Sequence, residues 1–324
     1  MSENLLDVVN LATYFYTDEG IIYALDGLSF SVKKGETLGI VGESGSGKSV
    51  TALSIMCLVQ SPPGKIVSGS VTVGGEDILK KNKKEIKVIR GDKIAMIFQE
   101  PMTALNPVFT VGSQIIESLR IHLKMDKKQA RKKAIDMLNK VGIPLPEKRV
   151  DEYPHQLSGG MRQRVMIAIA LCCNPELLIC DEPTTALDVT IQAQILELIN
   201  DLKKEFNTSV LMITHDLGVI AQVSDNVLVM YAGKEMEYGG VREVFQHPLH
   251  PYTGALIKSI PTIENDREVL HVIDGIVPSL SKRPDGCLFH PRCEKCMDIC
   301  RTQRPGLYHV NDKRRVRCWL YCTE

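Results

Sequence analysis

The chain has 324 residues, 44% of them hydrophobic and 24% charged, a globular mixture that excludes wholesale disorder and is long enough for about two domains. Lys+Arg and Asp+Glu are both 39, so no net charge steers the molecule onto nucleic acid. No uncharged apolar run approaches the ~18 residues of a membrane span, and the acidic start MSENLLDVVNLA lacks the basic-then-apolar order of a secretory signal. A cytoplasmic protein is expected, with any membrane span supplied by other subunits.

The first strong element is Glu36–Gly42, ETLGIVG, a short apolar run suited to a buried strand. GESGSGKS follows at Gly42–Ser49, and VTALSIMCLV continues it as a helix. Strand, Gly-rich loop and helix are the context of a phosphate-binding loop. Gly42, Gly45 and Gly47 let the backbone turn its N–H groups onto phosphate oxygens, and the helix N-terminus adds partial positive charge. Lys48 should reach the β- and γ-phosphates of a nucleotide and the Ser49 hydroxyl should ligate Mg²⁺. Ser44, Ser46 and Val50, in the same loop and helix start, are further candidate nucleotide contacts.

Residues from about 100 to 160 read as mostly helical, because Ala130, Ala134, Met137, Leu138 and Val141 recur at three- and four-residue spacing. The basic run Lys124–Lys133 on the same stretch reads as a solvated helix face. LSGGMRQR at Leu157–Arg164 then opens another helical run. Ser158, Gly159 and Gly160 lie at its start and form a second anion site that the first loop does not need. LLICDEP at Leu177–Pro183 is an apolar strand ending in two carboxylates. Asp181 can hold Mg²⁺ through water, and Glu182 is placed to polarise an attacking water.

With these motifs in this order, residues of about 5–245 resemble the ATP-binding cassette (ABC) ATPases. The resemblance implies an α/β fold, an ABC-type P-loop nucleotide-binding domain with a β-rich flank near the N-terminus and a helical subdomain at about 100–160. It makes Gln99, in MIFQEP, the glutamine that senses nucleotide at the Mg²⁺ site and faces a transmembrane partner. Ala186, Leu187 and Asp188 match the loop that crosses a dimer interface, and His215, after SVLMIT, matches the γ-phosphate histidine. Taken alone, His215 would read as a strand-end or capping residue. An adenine-stacking aromatic falls at Phe15, with Tyr14 and Tyr16 as neighbours among which strand register decides. Two such domains meet head to tail in this family, each ATP lying between one chain's phosphate loop and the other's LSGG. With Lys48, Glu182 and His215 all present, hydrolysis is expected.

Beyond a boundary near residue 245 the composition changes: Pro and His punctuate HPLHPYTGAL, and Cys287, Cys293, Cys296, Cys300, Cys318 and Cys322 crowd the end. In a reducing compartment such a cluster reads as metal ligation before disulfides. Cys57, Cys172, Cys173 and Cys180 sit in apolar runs and read as core. The tail resembles the C-terminal extension of the oligopeptide/dipeptide and nickel importer ATPases, and GESGSGKS resembles the dipeptide "D" subunit. That resemblance implies an irregular module, 246–324, holding a 4Fe-4S cluster on Cys287, Cys293, Cys300 and Cys318. Cys293-Glu-Lys-Cys296 also has zinc spacing, and Cys318 and Cys322 could complete a tetrahedral zinc site. Between Arg283 and Arg317 nine Lys/Arg stand against four Asp/Glu, an excess of five that could compensate an anionic cluster.

The function expected is ATP binding and hydrolysis for a dipeptide or oligopeptide importer, at the cytoplasmic face of the cell membrane. Its partners would be a second ABC ATPase (a paralogue, by family habit), two transmembrane permeases and an extracytoplasmic solute-binding protein, with no nucleic acid. The alternatives are a soluble ABC-type ATPase acting on nucleic acid or ribosomes, and a redox sensor working through the tail cysteines. A single nucleotide domain, no coiled-coil insertion and zero net charge weigh against the nucleic-acid reading.

Overall fold

A computed structural model describes residues 4–100, 104–185, 187–260 and 273–322. The elements in chain order are β1 (Asn4–Thr17), β2 (Gly20–Lys33), β3 (Thr37–Val41), α1 (Lys48–Ile55), β4 (Gly64–Val73), β5 (Glu76–Asp77), α2 (Lys83–Asp92) and β6 (Ile94–Ile97). Then come α3 (Val111–His122), α4 (Lys127–Lys140), α5 (Pro146–Arg149), α6 (Gly159–Leu171), β7 (Leu177–Asp181), α7 (Val189–Phe206), β8 (Ser209–Ile213) and α8 (Leu217–Val223). The chain continues through β9 (Asn226–Tyr231), β10 (Lys234–Gly240), α9 (Val241–Gln246), α10 (Pro251–Lys258), α11 (Asp298–Thr302), β11 (Tyr308–Asn311) and β12 (Arg314–Val316). The residues fall into two compact units.

One unit joins 6–31, 37–79 and 212–324. Here β3, buried along its whole length, pairs in parallel with β9 from Leu38 opposite Asn226 to Val41 opposite Val229. A strand buried on both faces needs an unbroken apolar run, and TLGIV and NVLVMY supply it. β10 lies antiparallel to β9, β12 to β10 and β11 to β12. The tail expected to be irregular therefore extends a sheet, with Glu237 opposite Val316 and Tyr238 opposite Arg315. The β-rich flank is a second sheet, ordered β2-β1-β4-β5. β1 and β4 run antiparallel, with an irregularity between Val9 and Ala12 where Gly69 passes close to Asn10 and Leu11.

The other unit comprises 1–5, 32–36 and 80–211. β6 and β7 pair in parallel from Ile94 opposite Leu177 to Ile97 opposite Cys180. α3, α4 and α5 follow one another between 111 and 149. Thr110 and Asp126 cap the first turns of α3 and α4 through their side chains, and Pro146 opens α5. The periodic apolar residues Ala130, Ala134, Met137, Leu138 and Val141 are all buried. The basic run lies on the exposed side of α4, where Arg131 forms two 2.7 Å hydrogen bonds to Asp151. Cys172, Cys173 and Cys180 are buried as expected for core residues. Cys57, which belongs to the first unit and sits in a left-handed turn (φ 52°) just after α1 ends, is only half-buried rather than core.

Candidate nucleotide-binding site

β3 delivers the chain into the loop 42–47, and the geometry there explains its glycines. Gly42 has φ 155° and Gly47 φ 101°, and a Cβ would lie 2.2 Å from the Met230 carbonyl oxygen or 2.5 Å from that of Ala24. Only glycine tolerates both the backbone angle and the approach. α1 begins at Lys48 with no side chain capping it, so its first N–H groups point into the loop. The Lys48 ammonium donates to the carbonyls of Gly42 (2.7 Å) and Glu43 (3.1 Å). The Ser46 hydroxyl is buried without a hydrogen-bond partner. An uncapped helix start, a buried ammonium and an orphaned hydroxyl form a cradle whose chemistry fits phosphate.

The same unit holds His215 and Phe15. The Thr214 N–H donates to the Ile40 carbonyl at 3.2 Å, so His215 emerges exposed from β8 beside the last residues of β3. Asp216 then caps α8 through the N–H groups of Gly218 and Val219. Phe15 pairs with Gly64 across β1 and β4, and its ring lies over that glycine. Tyr14 is engaged edge-on by Tyr23 at 4.8 Å between centroids, and Tyr16 is exposed.

The other unit gathers the acidic end of β7. Asp181 is buried, and Glu182 turns sharply after it at φ 47°, a conformation that is strained in a residue with a side chain. Two donors fix the Glu182 carboxylate: Gln99 Nε2 and Thr185 Oγ1, both at 2.9 Å from Oε2. Gln163 Nε2 donates to the Pro183 carbonyl at 2.5 Å and so holds the turn itself. The sequence marked Gln99 and Glu182 but not Thr185 or Gln163, whose roles depend on this fold. Ser158 caps α6 by accepting from the Met161 N–H at 3.3 Å, with Gly159 and Gly160 in its first turn. Asp188 caps α7 through Ile191, while Ala186 lies outside the described residues.

In the tail, Cys287, Cys300 and Cys318 are buried and Cys293 is half-buried. The Cys287 N–H donates to the Cys300 carbonyl at 2.8 Å. Burial pushes the Cys287 thiol up to about 11, and Cys300, Cys318 and Cys293 push the same way. Cys293 is also raised to about 11, first by burial and then by Cys318, Cys296 and Cys300. Cys322 is exposed. Among the described residues, no group of three or more His, Cys, Asp or Glu side chains is arranged to hold a metal ion. Neither the four-iron cluster nor the zinc site gains support from that geometry.

The expected compensation of a cluster by local cations is corrected by the ion pairs. Arg283 pairs with Asp26, Arg292 with Glu43, Arg314 with Glu237 and Arg315 with Glu235. All four acids precede the tail in the chain. Burial pushes the Asp26 carboxyl up, yet Lys234 and Arg283 beside it hold it below the usual carboxylate range.

Residues 25–185 match the family model for the ABC transporter, and 236–300 match the oligopeptide/dipeptide transporter C-terminal region. The oligopeptide transport ATP-binding protein AppD of Bacillus subtilis is 55% identical over 99% of this chain and 98% of its own length. This chain belongs to the ABC transporter ATPases. The dipeptide transport ATP-binding protein DppD of Escherichia coli is 48% identical, across 97% of this chain and 96% of that one. Among solved structures, the dimeric bacterial ABC transporter cassette MJ0796 aligns with TM-score 0.65 at 32% identity, covering 73% of this chain and 99% of that one. As a member of this family the chain is an ATP hydrolase whose activity is coupled to transport. Nothing in these matches favours action on nucleic acid or ribosomes.

Proposed function

We propose that this chain is the ATP-hydrolysing subunit of an importer for dipeptides or oligopeptides, bound to the cytoplasmic side of the membrane. The observation that carries the reading is an ATPase with every reacting residue present, continuous with the peptide-transporter extension over almost the whole chain. No helix among the described residues is long and apolar enough to cross a membrane, so spanning subunits fall to partners. Val108, Phe109 and Ile121 expose large apolar side chains before and along α3, which supports reading residues 100–160 as the part that meets two permeases. A second ATPase, a paralogue or a copy, and an extracytoplasmic solute-binding protein complete the proposed assembly. Two sequence domains, 1–245 and 246–324, remain our division of the chain.

In this reading Lys48 and the α1 N-terminus hold the β- and γ-phosphates, and Phe15 stacks on adenine. Ser49, Gln99 and Asp181 would hold Mg²⁺, which supplies charge neutralisation at the phosphates when bound. Glu182 polarises the attacking water, with Gln99 and Thr185 fixing its carboxylate, and His215 contacts the γ-phosphate. Ser158, Gly159 and Gly160 serve the nucleotide of the partner ATPase. ATP favours the closed pair, and release of phosphate reopens it. The Glu182→Gln chain should bind ATP yet lose roughly 10²–10⁴-fold in turnover, the share of a general base. Normal turnover would remove Glu182 from that role.

For the tail we propose the 4Fe-4S centre on Cys287, Cys293, Cys300 and Cys318, a reading supported by the match of residues 236–300 to the oligopeptide/dipeptide transporter C-terminal region and by the cysteine pattern. Anaerobically purified protein should carry about four irons and four sulfides per chain. One zinc and no iron would move the ligands to Cys293, Cys296, Cys318 and Cys322.

A further inference from the structure

Glu43 is the acidic residue of the phosphate loop, and it is held from far along the chain. Its N–H donates to the Tyr252 hydroxyl at 3.0 Å. Its carboxylate accepts two parallel bonds from Arg292, Nη1 to Oε2 at 2.7 Å and Nη2 to Oε1 at 3.0 Å. Its carbonyl accepts from the Ser46 N–H at 3.2 Å and from Lys48 Nζ at 3.1 Å. Glu43 is thus fixed through its amide, its side chain and its carbonyl.

Neither anchor is free to swing. The Arg292 side chain is 4% exposed, donates Nε to the Asp274 carbonyl at 3.0 Å and Nη2 to that of Ile273 at 3.2 Å, and lies over the Tyr231 ring. Tyr252 is fully buried, edge-on to Tyr231 at 4.7 Å and tilted against Phe289 at 5.2 Å. Both anchors belong to the part of the chain beyond residue 245.

Two physical consequences follow for a loop that wraps a triphosphate. A carboxylate in its second position repels the phosphates unless a cation neutralises it, and the guanidinium does so in a fixed bidentate geometry. When the Lys48 ammonium turns towards phosphate, the carbonyls of Gly42 and Glu43 lose their shared donor. The bonds from Arg292 and to Tyr252 need not change, so the loop keeps the shape that binds.

We propose that Arg292 and Tyr252 are positioning residues for the phosphate loop, through which the C-terminal extension sets the affinity for ATP. The proposal rests on reading 42–49 as the ATP loop. The test is the dissociation constant of Mg·ATP on the full chain, measured beside the thermal unfolding midpoint, for R292Q, E43Q, E43Q/R292Q and Y252F. R292Q should bind ATP roughly tenfold or more weakly, the size of a lost charge-assisted pair. E43Q should stay within about threefold of wild type, and E43Q/R292Q should recover most of the loss, because no unpaired carboxylate then faces the phosphates. Y252F, which keeps the ring in place but leaves the Glu43 N–H without its acceptor, should weaken ATP binding by about threefold or more with only a small drop in the midpoint. Wild-type affinity in both R292Q and Y252F overturns the proposal. So does a double variant as weak as R292Q, which would reduce Arg292 to a brace for residues 273–274. Should R292Q fail to fold, Y252F decides alone. If the wild-type chain binds no ATP, the reading of the loop fails before the clamp is tested.

Discussion

Replacing Glu237 by Gln should cost this protein about 3–5 kcal/mol of stability, the range for breaking a buried ion pair by removing one partner. Glu237 is fully buried on β10. Its Oε1 accepts from the Leu249 N–H at 3.0 Å and from Arg314 Nη2 at 2.9 Å, and its Oε2 accepts from the His250 N–H at 2.9 Å. A carboxylate satisfies all three donors, and glutamine cannot. Its oxygen serves one side, and its NH₂ then confronts a donor on the other. Arg314, itself buried, would keep its bond to the His247 carbonyl but lose its counter-ion. The guanidinium cannot retreat to solvent easily, since its stem runs across Gly239, where a Cβ would lie 3.2 Å from Arg314 Cγ. Urea unfolding followed by circular dichroism measures the loss. Adding Arg314→Met to Glu237→Gln should return at least about 1 kcal/mol, because the unpaired buried charge is then gone. A Glu237→Gln protein within about 1 kcal/mol of wild type would refute the claim that this pair closes the extension onto the sheet.

Stability should also fall in mild acid through His250, which is buried with Nδ1 accepting from the Tyr252 N–H and is lowered to about 3 by that burial. Its unfolded value is about 6.5, so between those values the unfolded chain binds a proton that the native chain refuses, a loss of roughly 2 kcal/mol by pH 5. Asn at this helix-capping position keeps the acceptor and removes the titration, so His250→Asn should flatten the stability profile between pH 7 and pH 5. Equal slopes for the two proteins would show that another group dominates. In the phosphate loop, Gly47→Ala places a Cβ 2.5 Å from the Ala24 carbonyl oxygen at φ 101°. The left-handed backbone alone costs roughly 1–2 kcal/mol, so ATP binding should weaken by roughly five- to thirtyfold, and a titration at wild-type affinity would contradict the loop geometry.

The phosphate loop, the acidic pair after β7 and the Ser-Gly-Gly helix start were legible in the sequence because each is a local demand. Gly42 and Gly47 are required by their own backbone angles and by carbonyls that approach them. Ser158 caps the helix that starts at the next residue, through an N–H three residues on, and Asp181 ends a strand whose apolar run announces it. The helical stretch was legible for the same reason, through a period that one face of α4 obeys. What sequence could not carry was partnership at a distance. Thr185 and Gln163 became supports of Glu182 only once the turn after β7 had formed. The short strands β11 and β12 escaped because Tyr308–Asn311 is mostly exposed and RRV is mostly charged, so neither shows an apolar alternation.

The charge count shows the same limit from the other side. The cysteine pattern and its resemblance implied an anionic cluster, and five surplus cations between 283 and 317 could have compensated it. The folded chain gives Arg283, Arg292, Arg314 and Arg315 carboxylates from residues 26 to 237 instead. Glu235 and Glu237 are almost wholly buried, and a buried carboxylate left without its cation costs about 3–5 kcal/mol. The extension is therefore the source of the counter-ions that let β10 carry two acids inside the protein. A boundary near residue 245 marks where composition changes, while the electrostatics of β10 and of the phosphate loop cross it. Any account of the tail as a metal module alone leaves the pairing of Asp26, Glu43, Glu235 and Glu237 unexplained.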